Sequence, residues 1–146
     1  MPQVEPFPAF GVHRRYGADA RVLTAELRAE GWRVFLLRRA TDRTGFFAEA
    51  AAALPLNPPV RTPNWDAFND SLSSGLMDLS EPKLAIVWED AEAMRREDGD
   101  TFSTAYEILA DTVFVLADPA MTGDGPVSRL LVLLLFPRPL ARTDDG

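Results

Sequence analysis

The run LLVLLLF at 130–136, inside SRLLVLLLFPR, places seven apolar residues in succession. A strand with one wet face alternates apolar and polar residues, whereas a strand covered on both faces does not. Seven residues are far short of the roughly 20 that cross a bilayer, so the run reads as a central strand of a parallel sheet. That reading constrains the rest of the chain, because parallel neighbours are joined by crossovers of about a dozen residues or more. WRVFLLRR at 32–39 and KLAIVWED at 83–90 supply two neighbours, and a shorter strand is expected near Val12–Tyr16.

Helical patterns fill the connections. In ADARVLTAELRAEG, Val22, Leu23, Leu27 and the alanines share one face, and Gly31 stands where a C-terminal cap belongs. TDRTGFFAEAAAALPLNPP predicts a helix capped by Thr44, with Phe46, Phe47, Ala50, Ala51 and Leu54 turned inward and Pro55 and Pro58–Pro59 ending it. NWDAFNDSLSSGL is a third helix and AEAMRRED a short fourth, closed by the turn DGD. From Thr101 a longer helix follows, with Phe102, Ala105, Tyr106, Leu109 and Val113 on one stripe. ADPAMTGDGP is a loop, PQVEPFPAFG an irregular arm, and RPLARTDDG a frayed tail. The expected fold is α/β: a small three- or four-stranded, mostly parallel sheet flanked by helices in a single domain over 1–146.

A length of 146 residues and 47% hydrophobic content support one such core. The absence of cysteine excludes disulfides and thiolate metal sites. The start, MPQVEPFPAF, lacks a basic stretch followed by an apolar run and does not read as a signal peptide, so a cytoplasmic protein is expected. The net charge of −7 is unevenly spread: residues 1–63 hold nine arginines against six acids, and residues 64–111 hold twelve acids against Lys83, Arg95 and Arg96. An acidic chain is a poor sequence-independent binder of nucleic acid, and its middle segment suits a basic protein partner.

Within that acidic segment, NWDAFNDSL at 64–72 places two aspartates four residues apart on one helix, a spacing that costs about 0.2–0.5 kcal/mol in repulsion. On a helical wheel Trp65, Phe68, Leu72 and Leu76 form a buried stripe, and Asp66, Asn69, Asp70 and Ser73 form the polar stripe beside it. Asn64, after Pro63, is a good N-cap. Asp66 then falls in the first turn, where the helix dipole favours a negative charge by about 0.3–1 kcal/mol. Asp70 lies beyond that turn, with Asp66 and Ser74 at i±4 and Ala67 and Ser73 at i±3, so no cation on its own helix balances it.

This segment resembles the signature of the barstar family, intracellular protein inhibitors of secreted ribonucleases: Asn, an apolar residue, Asp-Ala, an apolar residue, any residue, Asp, any residue, Leu. The similarity extends over roughly 31–138, where a strand, a helix, a proline-bearing loop, this helix and a strand such as LAIVWED follow in the family's order. The resemblance implies a three-stranded parallel sheet flanked by helices. It also implies a helix and preceding loop that plug a basic ribonuclease's active site with acidic side chains. Asp70 matches the family's central aspartate and Asp66 the one a turn earlier. Glu107 is the nearest candidate for a further acid on the long helix. Asn69 stands where the family often has an aromatic, Val60 where a tyrosine is expected, and Thr62 where glycine is usual. Residues 1–30 are an extension containing a helix, and 139–146 the tail. The expected partner is a basic ribonuclease or nuclease toxin, bound without cofactor or metal and without enzymatic chemistry. Two other classes stay open: a regulatory domain of the same fold with a different protein partner, and a metal-dependent hydrolase using the aspartate pair.

Other constellations carry less. His13, the only histidine, alternates with Val12 among arginines and reads as an edge-strand residue. Glu89, Asp90 and Glu92 offer carboxylates for a divalent cation alongside Asp66 and Asp70, but no EF-hand spacing accompanies them. TGDGP lacks the spacing and the following lysine of a phosphate-cradling loop.

Overall fold

The computed structural model describes residues 7–123 and 127–138; the first part of the N-terminal arm, the end of the ADPAMTGDGP loop and the tail from 139 lie outside these. Four strands among the described residues form one sheet: Gly11–Tyr16 (β1), Arg33–Leu37 (β2), Lys83–Trp88 (β3) and Arg129–Phe136 (β4). Their order is β1-β4-β3-β2, and every neighbouring pair is parallel. The apolar run at 130–136 is central, as expected. The fourth strand is β1, which lies beyond the three implied by the family resemblance and pairs with β4 from Gly11↔Leu131 to Tyr16↔Phe136.

Strand alternation divides the core into two layers. Leu84, Ile86 and Trp88 of β3 and Leu130, Val132, Leu134 and Phe136 of β4 face the thicker layer. That layer is built from the helices Arg43–Ala53 (α2), Trp65–Asp78 (α3), Ala91–Glu97 (α4) and Gly99–Ala117 (α5). Ala85, Val87, Leu131, Leu133 and Leu135 face the thinner layer, closed by Phe7, Trp32 and the helix Ala20–Ala29 (α1).

Local chemistry sets the helix ends. Asp19 Oδ1 accepts from the Arg21 and Val22 backbone N–H groups and starts α1. At the other end Gly31, at φ +90°, occupies the left-handed position, and the N–H groups of Gly31 and Trp32 return to the carbonyls of Arg28 and Leu27. Four expectations are corrected here. Val22 is 54% exposed, because the thin layer needs only the Ala20–Leu23–Leu27 edge of α1. Asp42, not Thr44, caps α2: its Oδ1 accepts from Gly45 N–H at 2.7 Å, and Ala51 on that helix faces outward. The turn DGD shrinks to one residue, since Asp98 ends α4 and also caps α5, so α5 begins at Gly99 rather than Thr101. Thr101 donates to Asp98 through both its N–H and its hydroxyl, and these bonds, the hydroxyl's first, hold the Asp98 carboxyl below its usual pKa. No described helix is long and apolar enough to cross a membrane.

Candidate functional site: the acidic face of α3

The third helix starts as its sequence dictates. Asn64 is extended, and its side-chain oxygen accepts from Ala67 N–H at 3.0 Å. Asn64→Ala is expected to lower stability by about 1 kcal/mol in urea unfolding, while Asn64→Asp, which keeps an acceptor, stays near wild type. A full loss in the aspartate variant as well would show that the cap is not what matters there.

Beneath the helix, Phe68, Leu72 and Leu76 are fully buried, and Trp65 lies half-buried above them. Trp65 and Phe68 join Phe46, Phe47 and Trp88 in an aromatic cluster with ring centroids 4.8–6.0 Å apart. This cluster fixes the helix's rotation, and with it the direction in which the polar stripe points. The loop after α2 lies along the helix: Asn57 N–H donates to the Ser71 carbonyl, and Asn57 Nδ2 donates to Asp78 Oδ2 at 2.6 Å.

Gly75 makes that approach possible, since a Cβ built on it would overlap the Pro55 carbonyl. Alanine gains about 1 kcal/mol in helix propensity over glycine. The obstruction is backbone, however, and overpacking of this kind costs about 1–3 kcal/mol. Gly75→Ala is therefore expected to destabilise on balance, and to speed amide exchange at Asn57 as the loop lifts. A variant more stable than wild type would show that the loop yields freely.

Asp66 and Asp70 are exposed, and Asn69 and Ser73 are partly so. Asn69, Asp70 and Ser73 line an open groove of about 670 Å³ between α3 and α5, together with Asp78 of α3, Asp111 and Phe114 of α5, and Met121 just beyond. Asp66, Val60 and Glu107 lie outside that groove. Asp66 sits in the first helical turn, Val60 packs against the thicker core layer, and Glu107 is exposed on α5 one turn before Asp111. Sequence reading did not single out Asp111. Its spacing of four from Glu107 placed both on one helical face, but only the packing of α5 on α3 selects which of the two lines the groove with Asp70.

The electrostatics of the face are one-sided. Across their full lengths α3 and α5 carry Asp66, Asp70, Asp78, Asp100, Glu107 and Asp111 and not one lysine or arginine. Among the described residues, the salt bridges join Arg33 to Glu81, Arg39 to Asp90 and Arg95 to Glu92, and none involves these two helices. Phe114 (70% exposed) and Met121 (57% exposed) give the acidic groove an apolar rim. Such a surface is suited to a cationic body with an apolar contact at its edge. No group of three or more His, Cys, Asp or Glu among the described residues is positioned to hold a metal ion.

A family model described as Barstar (barnase inhibitor) matches residues 32–121, from the entry to β2 to just past α5. No curated protein and no solved structure matched the chain.

Proposed function

The chain belongs to the barstar family, and from that premise we propose that it is a protein inhibitor which blocks the active site of a basic ribonuclease or nuclease toxin with α3. The observation carrying this reading is the pair of packed helices, α3 and α5, with six carboxylates and no cation between them. In this reading Asp70 is the central contact, in a groove whose other carboxylates are Asp78 and Asp111. Asp66, Asn69 and Ser73 flank it, Val60 meets the partner from the loop, and Glu107 extends the acidic surface along α5. A nuclease that holds RNA phosphates presents a cationic cleft, and complementary potentials speed encounter and suppress wrong partners. Phe114 and Met121 supply the large exposed apolar contact that Asn69 does not.

The test is RNA cleavage by barnase and by other basic microbial ribonucleases, measured with increasing amounts of the chain at low and high salt. Stoichiometric inhibition that weakens with salt is the expected result. Ribonucleases that stay fully active in excess chain would overturn the inhibitor reading and favour a family member that has changed partner.

A further inference from the structure

A second site is built where the parallel strands end, away from the acidic groove. The connection leaving β1 turns to the thin layer, into α1, whereas the connection leaving β3 turns to the thick layer, into α4. The end of β4 lies between them. Open α/β sheets bind ligands in the crevice formed where outgoing connections part in this way.

Two adjoining cavities occupy the position, sharing Glu92, Phe136 and Pro137 as a wall. The larger, about 590 Å³, sets Asp19, Glu89, Asp90, Glu92 and Glu97 against Arg39 and Arg96, a balance that repels anions. The smaller, about 320 Å³, reverses the balance. Arg14, Arg95 and Arg138 line it with Glu92 as its one carboxylate. Glu92 is fully engaged by Arg95, which donates to its two oxygens at 2.6 and 2.8 Å. Arg14 and Arg138 make no ion pair among the described residues, and Arg14 feels the Glu92 charge only at longer range, so three guanidinium groups face one carboxylate in a chain of net charge −7.

The floor is aromatic. Phe136 is buried, with the Arg14 guanidinium 4.9 Å above its ring and Tyr16 stacked on it at 5.4 Å and 34°. Tyr16 is itself 54% exposed, leaving ring surface open to solvent. Gly17, at φ +72°, lets the Arg138 side chain lie close, since a Cβ there would meet it at 3.2 Å. The Arg95–Glu92 contact also keeps the Glu92 carboxyl ionised to lower pH than usual, which holds that pairing in place.

We propose that this cleft binds a nucleoside phosphate, with the phosphate between Arg14 and Arg138 and the base laid on Tyr16. Guanidinium groups match phosphate oxygens in geometry and charge, and every base offers a π-face to an exposed tyrosine. The volume falls at the lower end of small-ligand pockets, about 300–1,000 Å³, which suits one nucleotide rather than a length of strand. Arg14, Tyr16, Phe136 and Arg138 all lie outside residues 32–121, so the site belongs to what this chain adds around the family core.

Calorimetric titration of the full chain with AMP, GMP, CMP and UMP tests the proposal, with adenosine and inorganic phosphate as the two halves of the ligand. Mononucleotides are expected to bind more tightly than either half. Arg14→Ala combined with Arg138→Ala should weaken them roughly tenfold or more. Tyr16→Ala should weaken them roughly fivefold or more while leaving inorganic phosphate unchanged, and Tyr16→Phe should restore binding. Asp70→Ala, on the other face, should change nothing. A short RNA with a 5′-phosphate binding as well as AMP would indicate a strand end as the source, and a weaker one a free nucleotide. No heat with any nucleotide, undiminished binding in the double arginine variant, or an acidic peptide binding where nucleotides do not would overturn it.

Discussion

Asp70→Ala is expected to weaken binding to a basic ribonuclease by about 2–5 kcal/mol, roughly thirty- to several-thousand-fold, while slightly raising the stability of the free protein. The two signs come from one circumstance. In the free chain Asp70 is exposed and has no ion-pair partner among the described residues, and it lies four residues from Asp66 on the same helix. Removing a like charge at that spacing returns about 0.2–0.5 kcal/mol. In the proposed complex the same carboxylate meets the partner's cations in a water-excluded setting, and its loss leaves those cations buried and unpaired. Asp66→Ala should behave differently. It sacrifices a favourable first-turn interaction of about 0.3–1 kcal/mol, relieves the same repulsion, and costs less in binding. Calorimetric binding and thermal melts on both variants check this. Asp70→Ala that binds as tightly as wild type would sink the acidic-plug mechanism, whatever the fate of its fold.

Phe46→Ala is expected to be the most damaging single truncation to stability, at about 3–5 kcal/mol, or a fall in melting temperature of about 10–20 °C. Phe46 is fully buried and touches four aromatic rings at once, those of Phe47, Trp65, Phe68 and Trp88. It therefore ties α2 to α3 and both to β3. Neighbouring rings belong to three separate elements and cannot all move into the vacancy, so most of the cavity persists. The damage should spread to binding, because the same rings fix the rotation of α3 and hence the aim of Asp70. A melting temperature within a few degrees of wild type would mean that the cluster repacks and that α3 is held chiefly by Leu72, Leu76 and its loop.

What was legible in the sequence was what local pattern encodes. The run at 130–136 pointed to a central strand because a strand without alternation needs apolar cover on both faces. Asn64, with Trp65, Phe68, Leu72 and Leu76, fixed both the start of α3 and its inward side. The misreadings share a cause. Thr44 and Asp42 both stood close enough to cap α2, and only backbone geometry decided that the Gly45 N–H meets Asp42. Val22 has the right period for burial, but a one-helix layer has less to cover than the pattern allowed. Asp111 gave no local signal, since its position opposite Asp70 is a property of two helices packed together. Which edge β1 joins is likewise invisible locally, because its six residues alternate no differently beside β4 than they would beside β2.

The pairing of β1 with β4 also bears on how the chain comes to be folded during its own synthesis. Gly11 meets Leu131 across nearly the whole length of the polypeptide, so the first strand made must wait for the last before it has a neighbour. Once made, and until β1 docks on it, the most apolar strand presents a naked edge, and such an edge recruits strands from other molecules. By docking there, β1 replaces that edge with its own, which carries Arg14 and Arg15, and charged residues of this kind discourage further strand addition. The N-terminal strand is thus a cover for the sticky centre of the sheet as well as a part of it, and a nascent chain stalled before residue 129 would have that cover with nothing yet to protect.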